Sequence, residues 1–302
     1  MPITLTTVVD DHPRFWCEFV LWLLCANART AMAKRVYFTC TPPAGLVAFA
    51  NARGCDIRRA DRLIAASPHC NKLIPFLDPT APGDQIVTDS DVFLTGDLQP
   101  FLRPDRVRLP PNNHGNPPLA IFREVFAAAG LRPPEPGVAL FTRVDGQRET
   151  FGGNVSAGVI AIPAAHRDLA HVWHKWALWL VERTEMLGRF AVHVDQVSFA
   201  LAMQETDVRF QFLPPQANAV LQILPEITDL HALHLTSGHI PQYPQWFAAD
   251  GTLKADAINP ALADPIARYN LCVREANTVI ATIPELAAFA ENFLNPAYRR
   301  DG

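Results

Sequence analysis

The feature that most constrains the fold is an alternation of short strand-like runs with helical ones that begins at residue 3. Ile3 to Val9 is rich in threonine and valine and predicts a strand, closed by Asp10-Asp11-His12-Pro13. Phe15, Trp16, Phe19, Val20, Leu23 and Leu24 then recur at helical spacing over an apolar surface wide enough to predict burial. Arg35 to Thr39 predicts a second strand, Leu46 to Arg53 a second helix and Cys55-Asp56-Ile57 a third strand. Strand, helix, strand, helix, strand is the order of a parallel, doubly wound sheet, because parallel neighbours need a crossover between them. The first turn carries neither a G-x-G-x-x-G nor a P-loop, so phosphate is not gripped there by a glycine-rich backbone. Asp10 and Asp11 stand in that place. They can accept hydrogen bonds from a base or ribose, or cap the next helix.

Composition narrows the class. A chain of 302 residues with 49% hydrophobic and 19% charged residues can bury a sizeable core. A net charge of −4 offers no basic footprint and argues against nucleic acid as the main partner. Cys17, Cys25, Cys40, Cys55, Cys70 and Cys272 include no C-x-x-C pair, which fits reduced, buried thiols in a cytoplasmic protein better than a zinc site. The opening Met-Pro-Ile-Thr enters a strand directly and predicts no signal peptide. The most apolar window, Phe15 to Ala28, is interrupted by Glu18 and is too short to span a bilayer.

The stretch with the most chemistry runs from Asp84 to Leu98. Ile86-Val87-Thr88 predicts a strand, and Asp89 and Asp91 follow at once. If the strand continues through them, both carboxylates point to one side, where they repel unless a cation lies between. Thr95-Gly96-Asp97 predicts a turn. Lys72, in a helical stretch from Ser67 to Leu77, is the nearest cation ahead of the pair in sequence and a candidate phosphate partner. Pro104 to Thr150 is proline-rich and reads as irregular, with a helix over Leu119–Ala129; it is expected to be a mobile binding loop or lid. In Val155 to Ile162, Gly158 in a strand interior would mark close approach by a ligand or another backbone. His171 and His174 lie on an amphipathic helix with no third ligand nearby, so exposed helix surface is the expectation. Asp195-Gln196 opens a helix through Met203, where Asp195 can serve as N-cap. Phe210 to Pro215 and Ala232 to Leu235 predict late strands. Thr282 to Glu285, with Pro284 between, matches a capping box opening a helix that carries Leu286, Phe289 and Phe293.

Taken together in order, these pieces resemble the GT-A glycosyltransferases, in particular the group of glycogenin and the lipopolysaccharide galactosyl- and glucosyltransferases. Asp89-Ser90-Asp91 resembles that family's D-x-D motif, Ser156-Ala157-Gly158-Val159 its N-A-G-V element and Asp195-Gln196 its D-Q pair. Phe212-Leu213-Pro214 with Asn218 resembles its L-P-x-x-x-N segment, and His234 falls at its histidine ligand. Ser156 stands where asparagine is usual. Three residues separate His234 from Gly238 where two are typical, and His239-Ile240-Pro241 replaces a K-P-W.

The resemblance implies an α/β fold: one GT-A-type domain with a mostly parallel, Rossmann-like sheet flanked by helices. Residues 1–240 would form it, with a nucleotide-sugar half over about 1–100 and an acceptor half over about 101–240, and residues 241–302 a helical C-terminal extension. It implies Mn²⁺ or Mg²⁺ on Asp89, Asp91 and His234, and donor contacts from Asp10, Asp11, Lys72, Asp89, Ser90, Asp91, Asn154, Ser156, Ala157 and Gly158. Asp195 and Gln196 become the catalytic candidates. The implied reaction moves a hexose from UDP-glucose or UDP-galactose to a hydroxyl acceptor such as a growing glycan, with retention. The implied protein has no transmembrane segment; Arg299-Arg300 leave peripheral membrane contact open.

Three rivals are distinguishable. Aspartate-nucleophile phosphatases also use D-x-D but need Thr or Val where Phe93 stands, and place the motif on the first strand. A sugar nucleotidyltransferase wants a loop rich in glycine and arginine where Asp10-Asp11-His12-Pro13 lies. A sugar-nucleotide-binding protein without turnover is opposed only by the intact Asp89, Asp91 and His234.

Overall fold

A computed structural model of the chain describes residues 3–81, 83–112, 116–144, 147–236, 240–289 and 294. In chain order its elements begin with β1 (Ile3–Val9), α1 (Pro13–Arg29), β2 (Ala33–Phe38), α2 (Ala44–Ala52) and β3 (Asp56–Arg59). There follow α3 (Ile74–Leu77), β4 (Asp84–Thr88), β5 (Val92–Leu94), β6 (Val107–Leu109) and α4 (Leu119–Ala128). The middle of the chain gives β7 (Val138–Val144), β8 (Gln147–Thr150), β9 (Val159–Ile162), α5 (Asp168–Val181) and α6 (Val194–Thr206). The last elements are β10 (Phe210–Phe212), β11 (Ala219–Val220), β12 (Ala232–His234), α7 (Ala255–Ile258) and α8 (Ala263–Thr282). The architecture is α/β, mostly parallel, with helices against the sheet and a helical C-terminal end.

The chain divides into two interleaved compact units. The second unit holds Pro2–Asp61, Thr88–Leu102 and Pro214–Gly302. Its strands β1, β2 and β3 lie side by side and parallel, with Thr4 opposite Ala33 and Arg35 opposite Asp56. The β-branched composition of β1 suits a pleated surface covered by helices. Helix α1 supplies the cover. Cys17, Phe19, Val20, Leu21, Trp22, Leu23 and Leu24 are buried, and Phe19 meets the edge of Phe38 with ring centroids 5.4 Å apart. The 20-residue α8 packs on α1 through Ile266, Tyr269, Val273, Ala276 and Ile280, which recur every three or four residues. A small second sheet completes the unit: β11 runs parallel to β12, and β12 runs antiparallel to β5.

The first unit holds Arg62–Val87 and Arg103–Leu213. Its strands follow the order β10-β6-β9-β4, with β10 parallel and β9 antiparallel to β6. Helices α5 and α6 pack together, and Phe76, Trp173 and Phe199 fill their interior. Trp173 donates its indole N–H to the carbonyl of Asp195 and to Ser198 Oγ, each at 3.0 Å, so α5 pins the first turn of α6.

Four local expectations are revised. Asp89-Ser90-Asp91 does not continue a strand: β4 closes at Thr88, and the Val92 N–H donates to the Asp89 carbonyl at 3.1 Å, closing a turn. Gly158 is likewise in a turn ahead of β9, not in a strand interior. Thr282 is the last residue of α8 and not an N-cap; its hydroxyl donates back to Val279 O at 2.6 Å, and Pro284 prevents the helix from continuing. Pro104 to Thr150 is less irregular than its prolines suggest, since it holds β6 and the antiparallel hairpin β7–β8 as well as α4. Asn113, His114, Gly115, Gly238, His239, Phe293, Arg299 and Arg300 lie outside the described residues.

Candidate functional site

In the second unit, strand pairing builds a compact acid–imidazole group. The β12–β5 register sets His234 opposite Val92, and the Leu235 N–H donates to the Asp91 carbonyl at 2.9 Å. His234 is thereby carried beside a residue far from it in sequence. Its Nε2 lies 3.4 Å from Asp91 Oδ1. One ligating atom from each of Asp89, Asp91 and His234 lies within 4.8 Å of the others. His234 is buried, while both aspartates keep partial access to solvent. Two hard carboxylate oxygens and one imidazole nitrogen form a donor set that fits Mn²⁺ or Mg²⁺, and a cation would relieve the repulsion between the carboxylates. His171 and His174 join no such group among the described residues.

A third acid lies beside this group. Glu18, on α1, is 2% exposed, and its carboxyl is pushed up to about 7. Burial is the main cause; Arg14 opposes it, and the Asp91 charge adds to it. Ser90 Oγ donates to Glu18 Oε2 at 2.8 Å. The signal was present in the sequence, because one acid inside an apolar helix is rarely buried without a partner.

Asp10 closes β1 and accepts a hydrogen bond from Thr39 Oγ1 at the end of the neighbouring strand. Asp11 is exposed. Neither caps α1: His12 does so, its Nδ1 accepting from the Arg14 N–H at 3.2 Å. Asn218, buried ahead of β11, occupies the end of the L-P-x-x-x-N segment.

In the first unit a second group assembles from three distant positions. Lys72 Nζ lies 3.0 Å from Asp195 Oδ2 and donates to the Ala157 carbonyl at 3.3 Å. Lys72 and Asp195 are 7% and 3% exposed, so this is a buried ion pair. Asp195 sits inside the first turn of α6, whose N-cap residue is His193, so it is not the cap. A carboxylate there is favoured by the helix dipole. Burial alone would push its carboxyl up, but Lys72 first, and His69 next, hold it below the ordinary range. Gln196 Oε1 is buried and has no hydrogen-bond partner among the described residues. The turn before β9 is fixed by Ser156, whose N–H donates to the Pro110 carbonyl at 3.0 Å and whose Oγ receives the Gly158 N–H at 3.5 Å. Asn154 is 1% exposed and its amide bonds inside the protein, accepting from Asn112 at 2.9 Å and donating to Thr150 at 2.8 Å.

The pair has a pH signature. A carboxylate whose native pKa is depressed contributes stability above its unfolded value, and that contribution disappears as pH falls through the native value. Urea unfolding of the wild type should therefore weaken more steeply below about pH 4, the ordinary aspartate range, than unfolding of an Asp195→Asn/Lys72→Met variant. Equal slopes would mean that Asp195 is not held ionised.

No protein-family model matches the chain, and no curated protein matches it either. Solved structures do. Mouse xyloside xylosyltransferase 1, in its apo form, is 11% identical with a TM-score of 0.50, covering 79% of this chain and 99% of that one. An active-site mutant of LgtC is 12% identical with a TM-score of 0.53, over 77% of this chain and 87% of its own. The galactosyltransferase LgtC, in complex with donor and acceptor sugar analogues, is 12% identical with a TM-score of 0.52, over 90% of this chain and 95% of its own. These are GT-A structures, and the chain has the GT-A fold. No helix among the described residues is long and apolar enough to cross a membrane.

Proposed function

We propose that the chain is a metal-dependent glycosyltransferase that moves a hexose from a nucleoside diphosphate sugar, UDP-glucose or UDP-galactose, to a hydroxyl acceptor such as a growing glycan, with retention. The observation that carries this reading is the Asp89, Asp91 and His234 group, with ligating atoms within 4.8 Å, on a GT-A fold. A divalent ion bound there supplies Lewis-acid stabilisation of the leaving diphosphate. Asp89, Asp91 and His234 would hold it, Asp89 shared with the ribose, and Asp10 and Asp11 would meet the nucleoside.

On the same reading Asn154, Ser156, Ala157 and Gly158 line the donor sugar, and Gln196 offers its buried amide oxygen to a sugar hydroxyl. Asp195, kept ionised by Lys72, faces the positive charge that develops at the anomeric carbon. Lys72 then serves the sugar side through Asp195, since its charge is already committed there. Part of the segment over 104–150 borders the acceptor. The testing experiment is nucleotide release from a panel of nucleotide sugars with Mn²⁺, with and without excess chelator. Release of UDP from a UDP-hexose that stops in chelator is the expected result. Full turnover in chelator would end the metal reading. Binding of the donors with no release would leave a sugar-nucleotide-binding protein.

A further inference from the structure

Glu18 is the sole acid in the 17-residue α1, and burying it on an apolar helix is unfavourable unless its oxygens are satisfied. Both are. Arg14, one helical turn earlier, donates from Nε to Oε1 at 2.7 Å. Ser90 Oγ donates to Oε2 at 2.8 Å, and Ser90 is the middle residue of the turn that carries Asp89 and Asp91. One helical turn further along α1, Trp22 Nε1 donates to Thr88 Oγ1 at 2.8 Å, where β4 ends and the turn begins. Arg14, Glu18 and Trp22 recur at i, i+4 and i+8, so they lie on one face of the helix. That face holds the acidic turn at its entry and at its middle.

We propose that Glu18 is the positioning residue of this turn, acting through Ser90 to set the Asp89 and Asp91 oxygens at the separation a divalent ion requires. The inference rests on the metal reading above but concerns a side chain that touches neither ion nor donor. Thr88 precedes both carboxylates, so the Trp22 bond fixes where the turn starts and leaves its middle free. The Glu18–Ser90 bond acts between the two aspartates. Groups that orient metal ligands from behind alter affinity by about 10- to 100-fold when removed.

The test is titration of Mn²⁺ alone into the purified protein, following free ion by its electron paramagnetic resonance signal, with thermal unfolding of each variant alongside. Glu18→Ala and Ser90→Ala should each weaken Mn²⁺ binding by roughly tenfold or more. The double variant should lose no more than either alone, because both remove one bond. Glu18→Gln, which leaves an acceptor for Ser90, should recover most of the affinity. Wild-type affinity in folded Glu18→Ala, or strictly additive losses in the double variant, would overturn the proposal. Should Glu18→Ala fail to fold, Ser90→Ala decides, since it leaves the Arg14–Glu18 pair in place; unchanged affinity there overturns it equally. A wild type that binds no Mn²⁺ would overturn the metal reading itself and this proposal with it, an outcome that does not depend on Glu18.

Discussion

Asp91→Ala should lower turnover of the sugar donor by roughly a thousandfold and leave the metal-free fold intact. Lewis-acid stabilisation of a leaving diphosphate is worth several kcal/mol, and each 1.36 kcal/mol is about tenfold in rate, so losing the ion at this site removes about three decades. Asp91 is the aspartate whose carboxylate meets His234, at 3.4 Å, and whose carbonyl receives the Leu235 N–H. Alanine keeps the backbone bond that joins β12 to the turn and deletes only the ligand. The fold should tolerate this, because Asp91 opposes the buried Glu18. A carboxyl raised to about 7 in the native state costs stability as pH rises from the ordinary glutamate range through that value, and the Asp91 charge enlarges the cost. At about pH 8, above that native value, metal-free Asp91→Ala should melt no lower than the wild type, while Mn²⁺ should raise the melting temperature of the wild type alone. A variant that melts well below the wild type, or that turns over normally, would contradict the assignment of Asp91 as a ligand.

The sequence revealed the parts of this fold that rest on local chemistry. The alternation from Ile3 onward opens on the β-branched run of β1 and the helical spacing of α1, and β1, α1, β2, α2 and β3 follow in the expected order. Asp89, Asp91 and His234 were recognisable together because the order of motifs carried them, and β12–β5 pairing then explains how they meet. What was not legible depends on partners distant in sequence. Nothing in Cys70-Asn71-Lys72-Leu73 says that its lysine is buried against Asp195. Nothing in the first helix says that Glu18 faces Ser90. The hairpin β7–β8 is hidden for another reason: the prolines just before it read as irregular chain. At Thr282 a capping box and a helix end followed by proline share the same letters, and only the bond to Val279 distinguishes them.

Asp195 presents the second large effect, and its buried partner changes how it has to be tested. Asp195→Asn leaves Lys72 with no carboxylate at 3.0 Å, and breaking one side of a buried pair costs about 3–5 kcal/mol. Loss of turnover in that variant would therefore confuse misfolding with chemistry. Replacing both residues, as Asp195→Asn/Lys72→Met, removes the two charges together, and such neutral replacements are often close to neutral for stability. The double variant should recover most of the melting temperature lost by Asp195→Asn. Its turnover should stay down by roughly a hundredfold or more, the scale of losing one electrostatic contact to a developing charge. Recovery of turnover along with stability would make the pair a structural element of α6 and leave the sugar side without a carboxylate. The stereochemistry is read from the product. With retention, an α-linked donor yields an α-linked product by NMR, and the leaving phosphate, not Asp195, takes the acceptor's proton. A β-linked product would require a general base, and Asp195 would suit that role poorly: the Lys72 charge that keeps it ionised also depresses its affinity for a proton.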